Sequence, residues 1–125
     1  MKKYLLAGAF ALVAATAAHA SQFQKGDWVL AQYNGSSYWF PGVVESESGD
    51  SVTIVYDDGE RETRPGNQVK SYTWKVGTRI ECRWKGGEEW YAGSITRASD
   101  DGESISVAYE DGDNEQTKTR KCRSR

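Results

Sequence analysis

Histidine is nearly missing from this chain. His19 is the only one among 125 residues, Met1 is the only methionine, and the cysteines number two, Cys82 and Cys122. What these shortages exclude depends on where the mature protein begins. Lys2 and Lys3 give a positive start, Tyr4 to Ala18 is an almost unbroken apolar run, and Ala18-His19-Ala20 has the small-x-small form that signal peptidase reads. The run falls short of the roughly 20 residues that a spanning helix needs. Residues 1–20 therefore read as a secretory signal cleaved after Ala20, with a membrane anchor or a buried helix as the alternative. Ser21 rather than Cys follows the cut, which argues against a lipid anchor. On this reading the protein is periplasmic or secreted, and it meets a membrane only through the transient signal peptide.

Taking away 20 of the 125 residues leaves 105, and losing Lys2 and Lys3 from 16 basic groups against 18 acidic ones moves the net charge from −2 to −4. The histidine goes as well. Without an imidazole no Ser-His or Cys-His nucleophile pair can be built, and a zinc site would have to combine the two cysteines with carboxylates. No isolated carboxylate pair framed by apolar residues stands out for acid–base work. The chain reads as a non-enzyme that calls for no cofactor. An even cysteine count in a chain leaving the cytoplasm favours a Cys82–Cys122 disulfide over two buried thiols. The loop it would close corresponds to roughly 3–4 kcal/mol in the chain-entropy picture.

A helical stripe is also lacking after residue 20. What is present is a repeat. A shift of 51 lays Gly26 on Gly77, Val29 on Ile80, Ala31 on Cys82, Tyr33 on Trp84, Trp39 on Trp90, Phe40 on Tyr91, Gly42 on Gly93 and Val44 on Ile95. Further on the shift becomes 53, pairing Val52 with Ile105, Ile54 with Val107, Tyr56 with Tyr109, Asp58 with Asp111 and Gly59 with Gly112. The two extra residues fall between Ala98 and Glu103, around Asp100-Asp101-Gly102, a turn signal. An insertion confined to a turn is what a duplicated unit should show.

Within each unit the apolar period is two, which means strands. Val52, Ile54 and Tyr56 alternate with Thr53 and Val55, as Ile105, Val107 and Tyr109 do with Ser106 and Ala108. Asn34-Gly35, Gly49-Asp50, Asp58-Gly59, Gly86-Gly87 and Asp111-Gly112 mark the turns. Four or five short strands in about fifty residues point to a small antiparallel barrel, whose closure removes exposed edges. The expected units are residues 21–70 and 74–125, with Tyr72 and Trp74 in the short connection as candidates to pack between them. A unit this small is marginal by itself. Cys122 matches Val69 at the end of the first unit, so first and last strands lying side by side, as in SH3-like barrels, would let the two sulfurs meet.

The motifs Gly-Asp-x-Val-x-Ala-x-aromatic (Gly26 to Tyr33), aromatic-x-Gly-x-Val (Phe40 to Val44) and Ile54 to Gly59, ending Tyr-Asp-Asp-Gly, recur as Gly77 to Trp84, Tyr91 to Ile95 and Val107 to Gly112. In order, spacing and duplication they resemble the Tudor and agenet pattern over nearly all of the chain after residue 20. The resemblance implies an all-β fold: two tandem five-stranded SH3-like (Tudor-type) antiparallel barrels after a cleaved signal peptide. It also implies aromatic cages for methylated lysine or arginine. Carried over residue by residue, one cage would use Tyr33 and Phe40, at the end of the first strand and the start of the second, with Tyr56 and Asp58. The other would use Trp84, Tyr91, Tyr109 and Asp111. Ring faces attract an ammonium by about 0.5–2 kcal/mol per contact, and the carboxylate supplies the opposite charge. Many cages carry a further aromatic just past the Asp-Gly turn. Here Glu60 and Asp113 stand there, leaving each cage open on one side and more acidic.

The function these features support is a non-catalytic binding module for a cationic ligand, methylated or not, or for a protein or peptide partner. The alternative is a structural cell-envelope domain of SH3-like type, in which Trp39 and Trp90 form a surface contact patch; packing between the units would explain those rings equally well. Lys118, Arg120, Lys121, Arg123 and Arg125 form a basic tail. It reads as a solvated end offsetting the acidic turn, and nucleic acid is the disfavoured partner because the domain is net negative. Glu60-Arg61-Glu62 and Glu88-Glu89 read as solvated faces.

Overall fold

The computed structural model describes residues 22–125; the expected leader over residues 1–20 lies outside the described residues. Among the described residues ten strands follow one another: β1 (Trp28–Ala31), β2 (Phe40–Ser48), β3 (Ser51–Tyr56), β4 (Arg61–Pro65), β5 (Val69–Ser71), β6 (Arg79–Arg83), β7 (Trp90–Ala98), β8 (Ser104–Tyr109), β9 (Asn114–Lys118) and β10 (Cys122–Arg123). They form two five-stranded antiparallel sheets, ordered β4-β3-β2-β1-β5 and β9-β8-β7-β6-β10. In each the first strand lies between the second and the fifth, the order that closes an SH3-like barrel. The fold class is the one the repeat and its motifs imply.

The period of two explains the sheets. Val52, Ile54 and Tyr56 of β3 are buried and alternate with half-exposed Thr53 and Val55, and β8 repeats this with Ile105, Val107 and Tyr109. The nine-residue strands β2 and β7 each bend at a register shift, between Val44 and Ser46 and between Ile95 and Arg97, so one strand can pair on both sides of a barrel. Glycine is required where β2 and β7 press on their neighbours. A Cβ on Gly42 would lie 2.7 Å from Ile54 Cγ2, and one on Gly93 would lie 2.6 Å from the Ala108 carbonyl oxygen.

Cys82 and Cys122 face each other across β6 and β10 and are joined as a disulfide. The matching pair in the first barrel is Ala31 opposite Val69. The cores differ in ownership. Phe23, Val29, Ala31, Val44, Val52, Ile54, Tyr56 and Val69 fill the first barrel from its own segment. The second core holds Trp74, Ile80, Ile95, Ile105, Val107 and Tyr109, and with them Leu30, a fully buried residue of β1.

Leu30 is one part of a continuous junction. Tyr72 and Trp74 of the connection pack there, with ring centroids 5.7 Å apart. Trp39 lies against the second core, and its backbone exchanges hydrogen bonds of 2.7 and 3.0 Å with Ser124. Ser124 is itself buried and accepts from Trp74 Nε1 at 3.1 Å. Trp90 sits edge-on to Phe40 at 6.2 Å. The two tryptophans at equivalent positions are therefore junction residues and not an outward contact patch. The end of the basic tail packs on the junction, while Lys118 and Arg120 stay exposed. Arg123 pairs with Glu81 at 2.9 Å and stacks on Tyr38 and Trp90, while Arg125 donates to the Tyr38 hydroxyl at 2.7 Å. A guanidinium is less strongly hydrated than an ammonium and stacks on rings, so Arg123 and Arg125 pack on Tyr38 where sequence reads free charge.

Candidate functional site

Each barrel gathers its aromatic and acidic residues at one end. The first rings come from elements slightly different from those expected. Tyr33 and Trp84 do not end strands; they open 3-10 turns, Tyr33–Gly35 and Trp84–Gly86, in which Asn34 and Lys85 both take φ +52°. Such turns leave backbone N–H groups without helical partners, and in both barrels a glutamate on the fourth strand, β4 or β9, supplies the acceptor. Glu62 accepts the Asn34 N–H at 2.9 Å, and Glu115 accepts the Lys85 N–H at 2.7 Å. The same carboxylates accept the hydroxyls of Tyr56 at 2.8 Å and Tyr109 at 2.6 Å. One carboxylate thus ties the ring-bearing turn to the third strand of its barrel.

These ties fix the protonation of the phenols. Burial first, then the hydrogen bond and charge of Glu62, push the Tyr56 phenol well above its ordinary pKa; burial and Glu115 do the same to Tyr109. Both phenols remain neutral donors at physiological pH. Glu62 is half-buried, contrary to the solvated face expected of Glu60-Arg61-Glu62, because it serves two donors from inside the barrel mouth. The signal that identifies it is the repeat: the shift of 53 places Glu62 on Glu115 in strands whose other residues do not match.

In the second barrel Trp84, Tyr91, Tyr109 and Asp111 line one cleft of about 230 Å³, joined by Asp113. Trp84 and Tyr109 meet edge to face, centroids 5.8 Å apart, and Tyr91 is 43 % exposed, so a solvent-borne ligand can reach a ring. Asp111 Oδ1 accepts the Asp113 N–H at 3.0 Å, which shapes the turn and brings both carboxylates to the rim. The Lys85 ammonium lies 5.3 Å from the Trp84 ring centroid, inside the range of cation–π attraction.

In the first barrel Tyr33, Phe40, Tyr56 and Asp58 also share one cleft, of about 420 Å³. Tyr33 stands edge-on to Phe40 at 6.2 Å and to Tyr56 at 5.4 Å. This cleft does not belong to one barrel. Trp90 extends its row of rings, and Arg83, Arg120 and Arg123 reach its wall from the second barrel. Glu60, past the Asp-Gly turn, lines this cleft with Asp58, and residues of the second barrel complete its wall.

A third recess, about 330 Å³, lies between the barrels beside Trp28 and Tyr72. The turn carrying the two inserted residues reaches it, and a Cβ on Gly102 would come within 2.8 Å of the Trp28 ring. Desolvation, then Asp58 and Glu103, raise the Asp57 carboxyl to about 6, and burial, followed by Asp57, pushes the Tyr72 phenol up to about 12.

No family model and no curated protein matches this chain. Among solved structures it is similar to the AGD34 segment of AGDP1 from Arabidopsis thaliana, at 18% identity and a TM-score of 0.41, with 90% of each chain covered. It is similar also to the tandem Agenet domain 3-4 of ADCP1, at 18% identity and a TM-score of 0.40, covering 90% of this chain and 88% of that one. At such values the likeness says nothing of a ligand.

Proposed function

We propose that the chain is a non-catalytic binding module and that its second barrel takes a cationic side chain, an alkylated ammonium above all, in the cleft of Trp84, Tyr91 and Tyr109. The observation that carries this reading is the meeting of three rings and two carboxylates, Asp111 and Asp113, at one accessible rim. An ammonium bearing methyl groups is poorly hydrated, so ring faces compete well with water for it, and Trp offers the strongest face. Lys85 beside Trp84 is the chain's own example of such a contact. A ligand with a higher local concentration or a softer cation displaces it, because Lys85 is exposed and gives up little. The first cluster suits a bare cation less well, since guanidinium groups line it.

Titration calorimetry with a trimethyl-lysine peptide, its unmodified counterpart and the neutral carbon isostere tests the proposal. Trimethyl-lysine should bind tighter than both, and Trp84→Ala should weaken it roughly tenfold, about the worth of one or two ring contacts. Equal binding of the neutral isostere, or no effect of Trp84→Ala, would refute a cation site. The envelope-domain alternative rests on Trp39 and Trp90 as free surface, and the junction occupies both rings. The leader expected over residues 1–20 would place this binding in the periplasm or outside the cell, which fractionation of the mature protein tests.

A further inference from the structure

The cleft at the junction has two electrically different ends. Its rings form a row, with Tyr56 next to Tyr33 (5.4 Å), Tyr33 next to Phe40 (6.2 Å) and Phe40 next to Trp90 (6.2 Å). Asp58 and Glu60, on the turn that follows Tyr56, supply negative charge at one end. At the Trp90 end two guanidiniums lie over the ring, Arg123 at 4.1 Å and Arg83 at 4.7 Å; Arg120 lines the same cleft and also borders the recess that holds Asp57.

The three arginines are not equally spent. Arg123 is neutralised by Glu81 at 2.9 Å. Among the described residues neither Arg83 nor Arg120 has a carboxylate within ion-pair distance. Arg83 Nε is moreover buried without any hydrogen-bond acceptor. A buried donor left unmade costs free energy, more so on a charged group, and a fork of guanidinium donors fits a carboxylate or phosphate in two-point fashion. The repeat sharpens the point. Arg83 and Arg120 stand where the first unit has Gln32 and Asn67, neutral amides, so the positive end is a feature of the second unit alone.

We propose that this junction cleft binds a zwitterion, an alkylated ammonium joined by a short linker to a phosphate or carboxylate. The ammonium lies against Tyr33 and Tyr56 beside Asp58 and Glu60. The anionic group accepts from Arg83, over Trp90, and from Arg120 on the wall of the same cleft. The site needs both barrels, since the acidic end belongs to the first and the basic end to the second. It is independent of the cation cleft around Trp84.

Calorimetry on the disulfide-bonded protein with phosphocholine, choline and inorganic phosphate tests the idea. Phosphocholine should bind at least about tenfold more tightly than either fragment, the value of one charge-assisted hydrogen bond. Arg120→Gln, at an exposed position that the fold does not need, should remove most of that gain and leave choline unchanged. Asp58→Asn should weaken choline and phosphocholine alike. Co-sedimentation with phosphatidylcholine vesicles then separates a lipid headgroup from a free ligand of the same chemistry. Phosphocholine binding no better than choline or phosphate, or keeping its full affinity in Arg120→Gln, would overturn the proposal. Such a failure would leave the second-barrel cleft standing, because that cleft is read with Trp84→Ala and a different ligand.

Discussion

The two barrels share a strand order and a core pattern, yet one is self-sufficient and the other is not. The first encloses its core with its own residues and has Ala31 opposite Val69 where its end strands meet. The second has a disulfide at the matching place and borrows Leu30 from the first. A unit of about fifty residues sits near the limit of independent folding. Duplication therefore did not give two equal domains: one copy carries the other, with a covalent staple making up the rest.

The largest break in this asymmetry should come from reducing the disulfide. With its cysteines 40 positions apart in sequence, reduction is expected to remove roughly 3–4 kcal/mol and to unfold the second barrel at a denaturant concentration where the first persists. Cys82→Ala with Cys122→Val copies the first barrel's pair and should behave like the reduced protein rather than worse. Unfolding followed separately through rings of each barrel reads the outcome. Next is Leu30→Ala, at about 2–5 kcal/mol for a fully buried leucine, lost chiefly from the second barrel although the substitution lies in the first. If hydrogen exchange shows the first barrel loosening instead, the shared-core account is wrong.

A smaller effect separates the two glutamate ties. Glu115→Gln should cost roughly 1–3 kcal/mol through the Lys85 N–H and the Tyr109 hydroxyl. It should also weaken ligand binding at Trp84, whereas Glu62→Gln should leave that binding alone. The smallest concerns Asp57. Its folded pKa, about 6, is above its ordinary 3.8, so the native state holds the proton more tightly. The resulting stability is present at acid pH and falls as pH rises through this window. Asp57→Asn should therefore stabilise the protein at pH 7 and bring no gain near pH 3, by about 1 kcal/mol or less because the carboxylate stays in contact with water. A thermal-melt series over pH checks the sign.

Much of this was legible in the residues. Period-two alternation at Val52, Ile54 and Tyr56 marks a strand wherever it occurs, and the offset between copies fixes which strands correspond. The rings and carboxylates of each cluster could be named because they recur at matched positions. Part of the junction was legible too, since Tyr72 and Trp74 of the short connection are candidates to pack between the units. What could not be read was which residues of one copy enter the other. Leu30 looks like an outward residue between Val29 and Ala31, and Trp39, Trp90 and the terminal arginines look like surface groups. The burial of Leu30 and the contacts of the others depend on the mutual placement of two barrels, which no local pattern encodes. Glu62 was obscured for a different reason, since flanking charges hide a half-buried carboxylate until its counterpart Glu115 is noticed.

The hydrogen bonds between Trp39 and Ser124 have a consequence for the order in which the molecule is made. Residues 22–71 include every group in the first core, so that barrel can close while later segments are still being synthesised, as N-terminal units generally do. Its neighbour must wait for Cys122 and Ser124, and until they arrive Leu30 and Trp39 stay uncovered. Between those two moments the nascent molecule shows water an apolar face that it later hides, and a holding chaperone would have that interval in which to act.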